Sequence, residues 1–156
     1  MTNELSPFEE ELEKHGKFVY YNVGISMMPL LRQNNDLIII EKKGEKINKY
    51  DVVLFKRDNK YILHRVIKVN EDNTYDIVGD NQWRIERSVK DSQILGVMKA
   101  YVKDGKEISV NDEEYLNYVD DLFNKPFYIK RMTIIIRDYK NRIIRKWKQI
   151  KEHLNG

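Results

Sequence analysis

Residues 51–69 read DVVLFKRDNKYILHRVIKV, two apolar runs on either side of a polar turn. We interpret 51–56 and 60–69 as strands because both are rich in Val, Ile and Tyr, which pack well on a pleated surface. The charged sequence Arg57-Asp58-Asn59-Lys60 between them is typical of a turn. This stretch therefore predicts two consecutive strands without a helix between them.

The same pattern continues on both sides of these two strands. Polar turns such as Lys43-Gly44-Glu45 and Asn70-Glu71-Asp72-Asn73 separate further apolar segments, which span 17–23, 36–41, 74–78 and 93–102. Short strands without intervening helices favour antiparallel pairing. We therefore predict a barrel-like or sandwich-like β body at 17–110.

Helical patterns flank this body. Residues 7–14 follow Ser6, a candidate N-cap, and carry an acidic first turn, so they predict a short helix within the segment 1–16. From Asp112 onward apolar residues recur at helical spacing with Lys and Arg between them, which predicts a basic amphipathic tail at 111–156. Its apolar positions are Tyr128, Met132, Ile135, Tyr139, Ile143, Trp147, Ile150 and Leu154. The predicted fold is mainly β, with a short N-terminal helix and a basic amphipathic C-terminal helix.

The composition excludes several kinds of site. The chain of 156 residues contains no cysteine, which rules out a disulfide framework, a thiol nucleophile and thiolate metal sites. His15, His64 and His153 are far apart and have no partners at metal-ligand spacing, so we expect no zinc site. No apolar run is long enough to cross a bilayer and the amino terminus is acidic, so we expect a cytoplasmic protein.

Charge is distributed unevenly along the chain. Residues 125–156 contain ten Lys or Arg and two acidic residues, a net +8, whereas residues 1–124 contain 18 basic and 23 acidic residues, a net −5. Three alternatives follow for the tail. It lies on an anionic membrane surface, its apolar stripe packs on the β body, or its basic face binds nucleic acid. The sequence supports the first two about equally, and nucleic-acid binding is the least expected of the three.

A serine and a histidine lie at the edges of apolar runs. Ser26, in Ser26-Met27-Met28-Pro29, follows a predicted strand and precedes a proline, so a turn can project its hydroxyl. Gly24 allows close backbone approach, and the main-chain N–H of Ser26 would then help to form an oxyanion hole. The alternation of the strand puts His64 on the face of Ile62 and Val66, where partial burial favours the neutral imidazole that a general base requires.

Two carboxylates compete for the place beside that imidazole. Asp80 lies in the turn Gly79-Asp80-Asn81, and Glu86 lies further along the same loop. Either one would hold the imidazole by its Nδ1 proton, and sequence spacing does not choose between them. Ser26, His64 and Asp80 also have ordinary structural interpretations. They would be a turn serine, a packed core histidine and the first residue of an Asx turn.

In order and spacing these segments resemble the signal peptidase I and LexA-like serine peptidase superfamily. The Ser-Met-Met-Pro sequence at 26–29 resembles the Ser-Met-x-Pro nucleophile box, and His-Arg-Val-Ile at 64–67 stands where that superfamily has Lys-Arg-Val-Ile. Gly-Asp-Asn at 79–81 resembles the box of the same sequence. Residues 50–55 and 94–97 resemble the Gly-Asp-Val-Val-x-Phe and Ile-Leu-Gly-x-Val strands, so the resemblance covers about 19–101.

The departures from the bacterial pattern are informative. Histidine in place of lysine makes the chain most similar to the archaeal and endoplasmic-reticulum type, which implies a Ser-His-acid mechanism. In that type a second acid follows the Gly-Asp-Asn box, and Glu86 holds about that place. Gly24 lacks the hydroxyl that many bacterial members contribute to the oxyanion hole. No transmembrane helix precedes Ser26, so the tail at 125–156 is a candidate for a peripheral membrane contact in its place, alongside the alternative that it packs on the β body.

The resemblance implies a serine endopeptidase that cleaves a leader or signal-like peptide without a cofactor or metal. Ser26 is the expected nucleophile, His64 the general base and then general acid, and Asp80 or Glu86 the residue that orients it. A non-catalytic peptide-binding or regulatory module on the same fold is the alternative. The sequence predicts neither the residues around the cut nor the oligomeric state.

Overall fold

The computed structural model describes residues 7–124 and 127–154, with side chains from 8–123 and 132–151. The strands in this part of the chain are β1 (Lys17–Tyr21), β2 (Leu37–Lys42), β3 (Val52–Arg57), β4 (Lys60–Val69), β5 (Thr74–Val78), β6 (Glu86–Lys90), β7 (Ile94–Lys103) and β8 (Lys106–Ser109). The α-helices are α1 (Pro7–His15), α2 (Glu113–Asn124) and α3 (Phe127–Leu154).

The strands form one sheet in the order β1-β2-β7-β3-β4-β5-β6, with β8 paired to β7. All the pairings described are antiparallel. Strand β3 lies near the centre, between β7 and β4, and is buried on both faces. Its side chains alternate, with Val52 and Leu54 in one core and Val53 and Phe55 in another. The mainly β prediction is thereby confirmed.

Two hydrophobic cores stabilise the sheet. The first also contains Leu12 of α1, Met27, and Tyr115 and Val119 of α2, so both of these helices cover one face. The second is built on β3 to β7 and includes Val66, Ile77 and Val89 among other apolar side chains. Full burial of each large apolar side chain contributes about 1.5–3 kcal/mol relative to exposure. The loop that carries Ser26 is anchored in the first core, and β4 contributes to both.

The sequence located some strands and missed others. Strands β4 and β5 have the predicted bounds, and four others differ from prediction by one or two residues at their ends. Strands β6 and β8 were not predicted, because each buries a single apolar residue, Val89 and Ile108 respectively. Helix α1 begins and ends within a residue of its prediction, while Ser6, its candidate cap, lies outside the described residues.

Helix α3 presents its apolar stripe to solvent. Ile134 is its buried residue among those with described side chains, whereas Met132, Tyr139 and Trp147 are exposed. The described stripe therefore does not pack on the β body, which was one of the three alternatives. Within the part of the chain that the structure covers, no helix combines the length and apolar character needed to cross a membrane.

Candidate active site

Ser26 lies in the loop between β1 and β2, and its neighbours fix that loop. The Met27 side chain is buried in the first core. The main-chain N–H of Asn81 donates to the Ser26 carbonyl oxygen at 2.7 Å, and the Asn81 side-chain amide donates to the Ile25 carbonyl at 3.0 Å. The turn after β5 thus holds the serine loop directly.

Two glycines allow the backbone arrangement around Ser26. A Cβ at Gly79 would lie 2.7 Å from the Ser26 carbonyl oxygen and 3.0 Å from Ser26 Cβ, so only glycine allows the two loops to approach this closely. Gly24 has a φ of 95°, in the left-handed region that favours glycine, and its carbonyl accepts a hydrogen bond from the Asn22 side chain at 3.2 Å. Both residues serve the position of Ser26.

A single cleft of about 530 Å³ has Ser26, His64 and Glu86 in its lining. Ser26 comes from the β1–β2 loop, His64 from β4, and Glu86 from the first position of β6. Three of the four residues predicted as nucleophile, base or acid therefore share one cavity. Asp80, the fourth, is not among its lining residues.

His64 is buried, and its surroundings keep it neutral. It pairs with Val53 across the sheet, and its ring centroid lies 6.0 Å from that of Phe55. Burial, the larger cause, and the nearby positive charge of Arg57 together lower the pKa of His64 to about 4. At neutral pH the imidazole is therefore uncharged, the form in which it accepts a proton.

Glu86 contacts both His64 and Arg57. Its Oε1 lies 3.1 Å from His64 Nδ1, while its Oε2 pairs with the Arg57 guanidinium. The His64–Glu86 distance suits a hydrogen bond but the direction does not, so Nδ1 is buried with no hydrogen bond among the described atoms. Glu86 is thus shared between a cation and the histidine.

Asp80 faces the opposite side of β4 and is fully engaged there. Its two oxygens accept from Arg65 Nε at 2.9 Å and from Nη2 at 2.7 Å, and the Tyr118 hydroxyl donates to it at 3.0 Å. Arg65 also donates to the Tyr115 hydroxyl at 2.8 Å. Burial alone would lower the pKa of Arg65, but the Asp80 carboxylate raises it above its ordinary value. Adjacent residues of a strand point to opposite faces, so Asp80 follows Arg65 away from His64.

The structure adds cleft residues that the sequence reasoning did not single out. Arg57, Trp83 and Asp138 also line the cleft. Arg57 was interpreted only as part of a turn, and Asp138 belongs to α3, which no sequence pattern linked to the site. Arg137, its neighbour on α3, donates from Nη1 to the Asn81 side-chain oxygen at 2.7 Å.

The described residues contain no group of three or more His, Asp or Glu side chains arranged to hold a metal ion. Comparison with known protein families and with curated protein sequences gives no match for this chain.

Proposed function

We propose that this protein is a serine endopeptidase of signal-peptidase-like type, on a LexA-like β fold, that cleaves an extended leader or signal-like peptide. The observation that carries the proposal is the shared cleft of Ser26, His64 and Glu86, which come from one loop and two strands that are separate along the chain. A serine, a neutral imidazole and a carboxylate in one cavity are the parts of a Ser-His-acid hydrolase.

The order of the elements gives further support. The nucleophile box lies in the loop after β1, the base on β4, the Gly79-Asp80-Asn81 turn after β5, and the closing strand is β7. The close approach of Gly79 to Ser26 gives this turn a physical role beside the nucleophile. This order supports the interpretation that the separate sequence segments serve one site.

In the proposed mechanism Glu86, rather than Asp80, orients the base. Ser26 Oγ attacks the scissile carbonyl carbon while its proton passes to His64, and the main-chain N–H of Ser26 stabilises the oxyanion. His64 then protonates the leaving amine, and water hydrolyses the acyl-enzyme with His64 again as base. The support for Glu86 is its 3.1 Å approach to His64 Nδ1, whereas Asp80 is paired with Arg65.

An apolar groove beside the cleft fits an extended peptide. The groove has a volume of about 450 Å³ and shares Tyr61 and Ile62 with the cleft wall. It runs along β1, which among the described strands pairs on one side only, with β2. An extended peptide that adds to the free edge of β1 would gain main-chain hydrogen bonds and place apolar side chains in the groove.

The test is cleavage of a complex peptide library, read by mass spectrometry, with wild type and Ser26→Ala compared. We expect wild type to generate new termini and Ser26→Ala to lower their rate of formation by at least about 10³-fold. Ser92→Ala is the matched control, because Ser92 is exposed and lies outside the residues that line the cleft. Cleavage that persists in Ser26→Ala would overturn the assignment of the nucleophile.

The second candidate, a non-catalytic peptide-binding module, is favoured by one observation. His64 Nδ1 makes no hydrogen bond to the described atoms, so the base is not held as a working triad requires. In that case the β1 edge and the apolar groove bind peptides that are never cut. Retention of the same library peptides by wild type and Ser26→Ala, with no new termini from either, would support this module.

A further inference from the structure

Among the described residues, the exposed face of α3 is an apolar surface that neither the cores nor the cleft uses. Ile134 is 6% exposed, whereas Tyr139 is 65% and Trp147 67% exposed. Ile134 and Ile143 are separated by about two and a half helical turns, which places them on opposite sides of the helix. Ile134 is packed, so the stripe through Tyr139, Ile143 and Trp147 points away from the body.

Basic side chains flank this stripe on both sides. At about 100° per residue, Lys140 and Lys151 lie along one border of the stripe and Arg142 and Lys146 along the other. Residues 132–151 contain seven Lys or Arg and one acidic residue, Asp138, which lines the cleft on the body side of the helix. The apolar surface is therefore bordered by positive charge.

We propose that α3 is an interfacial helix that docks the protein on an anionic lipid surface. Tyr139, Ile143 and Trp147 would enter the boundary between headgroups and acyl chains, and the flanking Lys and Arg side chains would contact anionic headgroups. A second copy fits less well, because two such helices would bring dense positive charge together. Nucleic acid would use the charge but leave the apolar stripe exposed to water.

The docked helix would lie between the lipid and the cleft. Arg137 contacts Asn81, whose main chain holds the Ser26 loop, and Asp138 lines the cleft itself. The cleft would then stand about 10–12 Å from the membrane surface, one helix diameter. This geometry favours substrates whose cleavage site emerges close to the membrane. That part of the inference rests on the proposed function.

The test is binding to vesicles of phosphatidylcholine with and without phosphatidylglycerol, measured by co-sedimentation and by tryptophan fluorescence. The chain has two tryptophans, so Trp83→Phe leaves Trp147 as the reporter. We expect binding and a blue shift of Trp147 with the anionic vesicles, both weakened by salt, and at least about tenfold weaker binding to phosphatidylcholine alone.

Ile143→Glu and Ile144→Glu form a matched pair. Both residues are exposed neighbours and both substitutions add one negative charge, but only Ile143 lies on the stripe. We expect Ile143→Glu to weaken anionic-vesicle binding at least about tenfold more than Ile144→Glu does.

Three results would overturn the proposal: equal losses in the two variants, equal binding to both kinds of vesicle, or dimerisation of the protein with no vesicle binding. The vesicle-binding assay does not depend on peptide cleavage. A failure of the membrane-docking proposal can therefore be told apart from a failure of the peptidase proposal.

Discussion

His64 and Arg65 are neighbours on β4, yet each forms a very different pair with an acid. The Arg65 and Asp80 side chains are 0% and 1% exposed and are joined by two hydrogen bonds, with a third from Tyr118 to the carboxylate. The His64 and Glu86 side chains are 5% and 18% exposed, and His64 Nδ1 has no hydrogen bond among the described atoms.

The difference separates structural from chemical roles. A buried ion pair whose hydrogen bonds are all made holds the strands and the Gly79-Asp80-Asn81 turn in one arrangement. Its Arg65 guanidinium keeps its proton, because the Asp80 carboxylate raises the pKa of Arg65 above its ordinary value. An imidazole with an unused nitrogen beside a cleft can take up a proton, and the carboxylate next to it can then stabilise the charged ring. We therefore expect Asp80 to govern stability and Glu86 to govern activity.

The largest expected effect is on stability, from Asp80→Asn. Loss of one charge from the buried pair leaves Arg65 uncompensated, which we expect to lower the free energy of unfolding by about 3–5 kcal/mol in urea titrations. Asp76→Asn is the matched control: Asp76 is also buried and also accepts further hydrogen bonds, but its ion-pair partner Arg87 has a side chain that is 71% exposed. For this control we expect a loss of about 1 kcal/mol from the ion pair. Equal losses would contradict the structural role of Asp80.

The next effect is a pH dependence of stability that His64 causes. Its pKa is about 4 in the folded protein, below the ordinary value of about 6.5 expected when unfolded. Above about pH 6.5 both states hold a neutral imidazole, whereas at lower pH the unfolded state binds the proton first. We expect this group to reduce the free energy of unfolding by up to about 3 kcal/mol between about pH 6.5 and 4.

Urea titrations of wild type and His64→Gln across this pH range isolate that contribution. The variant should lose this part of the pH dependence, and His15→Gln, which changes a half-exposed histidine on α1, should keep it. The same slope in wild type and His64→Gln would show that His64 is not buried as a neutral group.

The smallest expected effect in free energy is on catalysis, from Glu86→Gln. Without the carboxylate beside Nδ1, we expect kcat to fall by about 10²-fold with little change in KM, since Glu86 acts through His64. Stability should change by no more than about 1 kcal/mol because the Arg57 partner is half exposed. Glu41→Gln, on the exposed end of β2, is the control. Full activity in Glu86→Gln would contradict its orienting role.

The β body followed from local patterns, whereas the candidate nucleophile and the candidate base followed from local patterns taken together with the resemblance of the ordered segments to a peptidase superfamily. Enrichment in Val, Ile and Tyr between polar turns located β4 and β5, because these residue types favour strands and the turns mark where the strands end. The alternation of side chains along a strand separated His64 from Arg65 onto opposite faces. Helical spacing likewise predicted that the region of α3 is an amphipathic helix, without any information on its tertiary contacts.

Tertiary structure alone separated the two acids. Ile77 of β5 pairs with Val66 on one side and with Glu86 on the other, which carries Glu86 across two strands to the face of His64. Register shifts interrupt both of these pairings, so counting residues along the chain does not predict which face a side chain reaches.

The sequence also did not predict whether the apolar stripe of α3 faces the β body or the solvent. Helical spacing defined the apolar stripe, but only the burial of Ile134 and the contact of Arg137 with Asn81 established which side of the helix meets the body. Local periodicity thus determined which elements form and which residues share a face. Contacts between distant parts of the chain determined which faces meet, because that choice depends on the packing of the whole molecule.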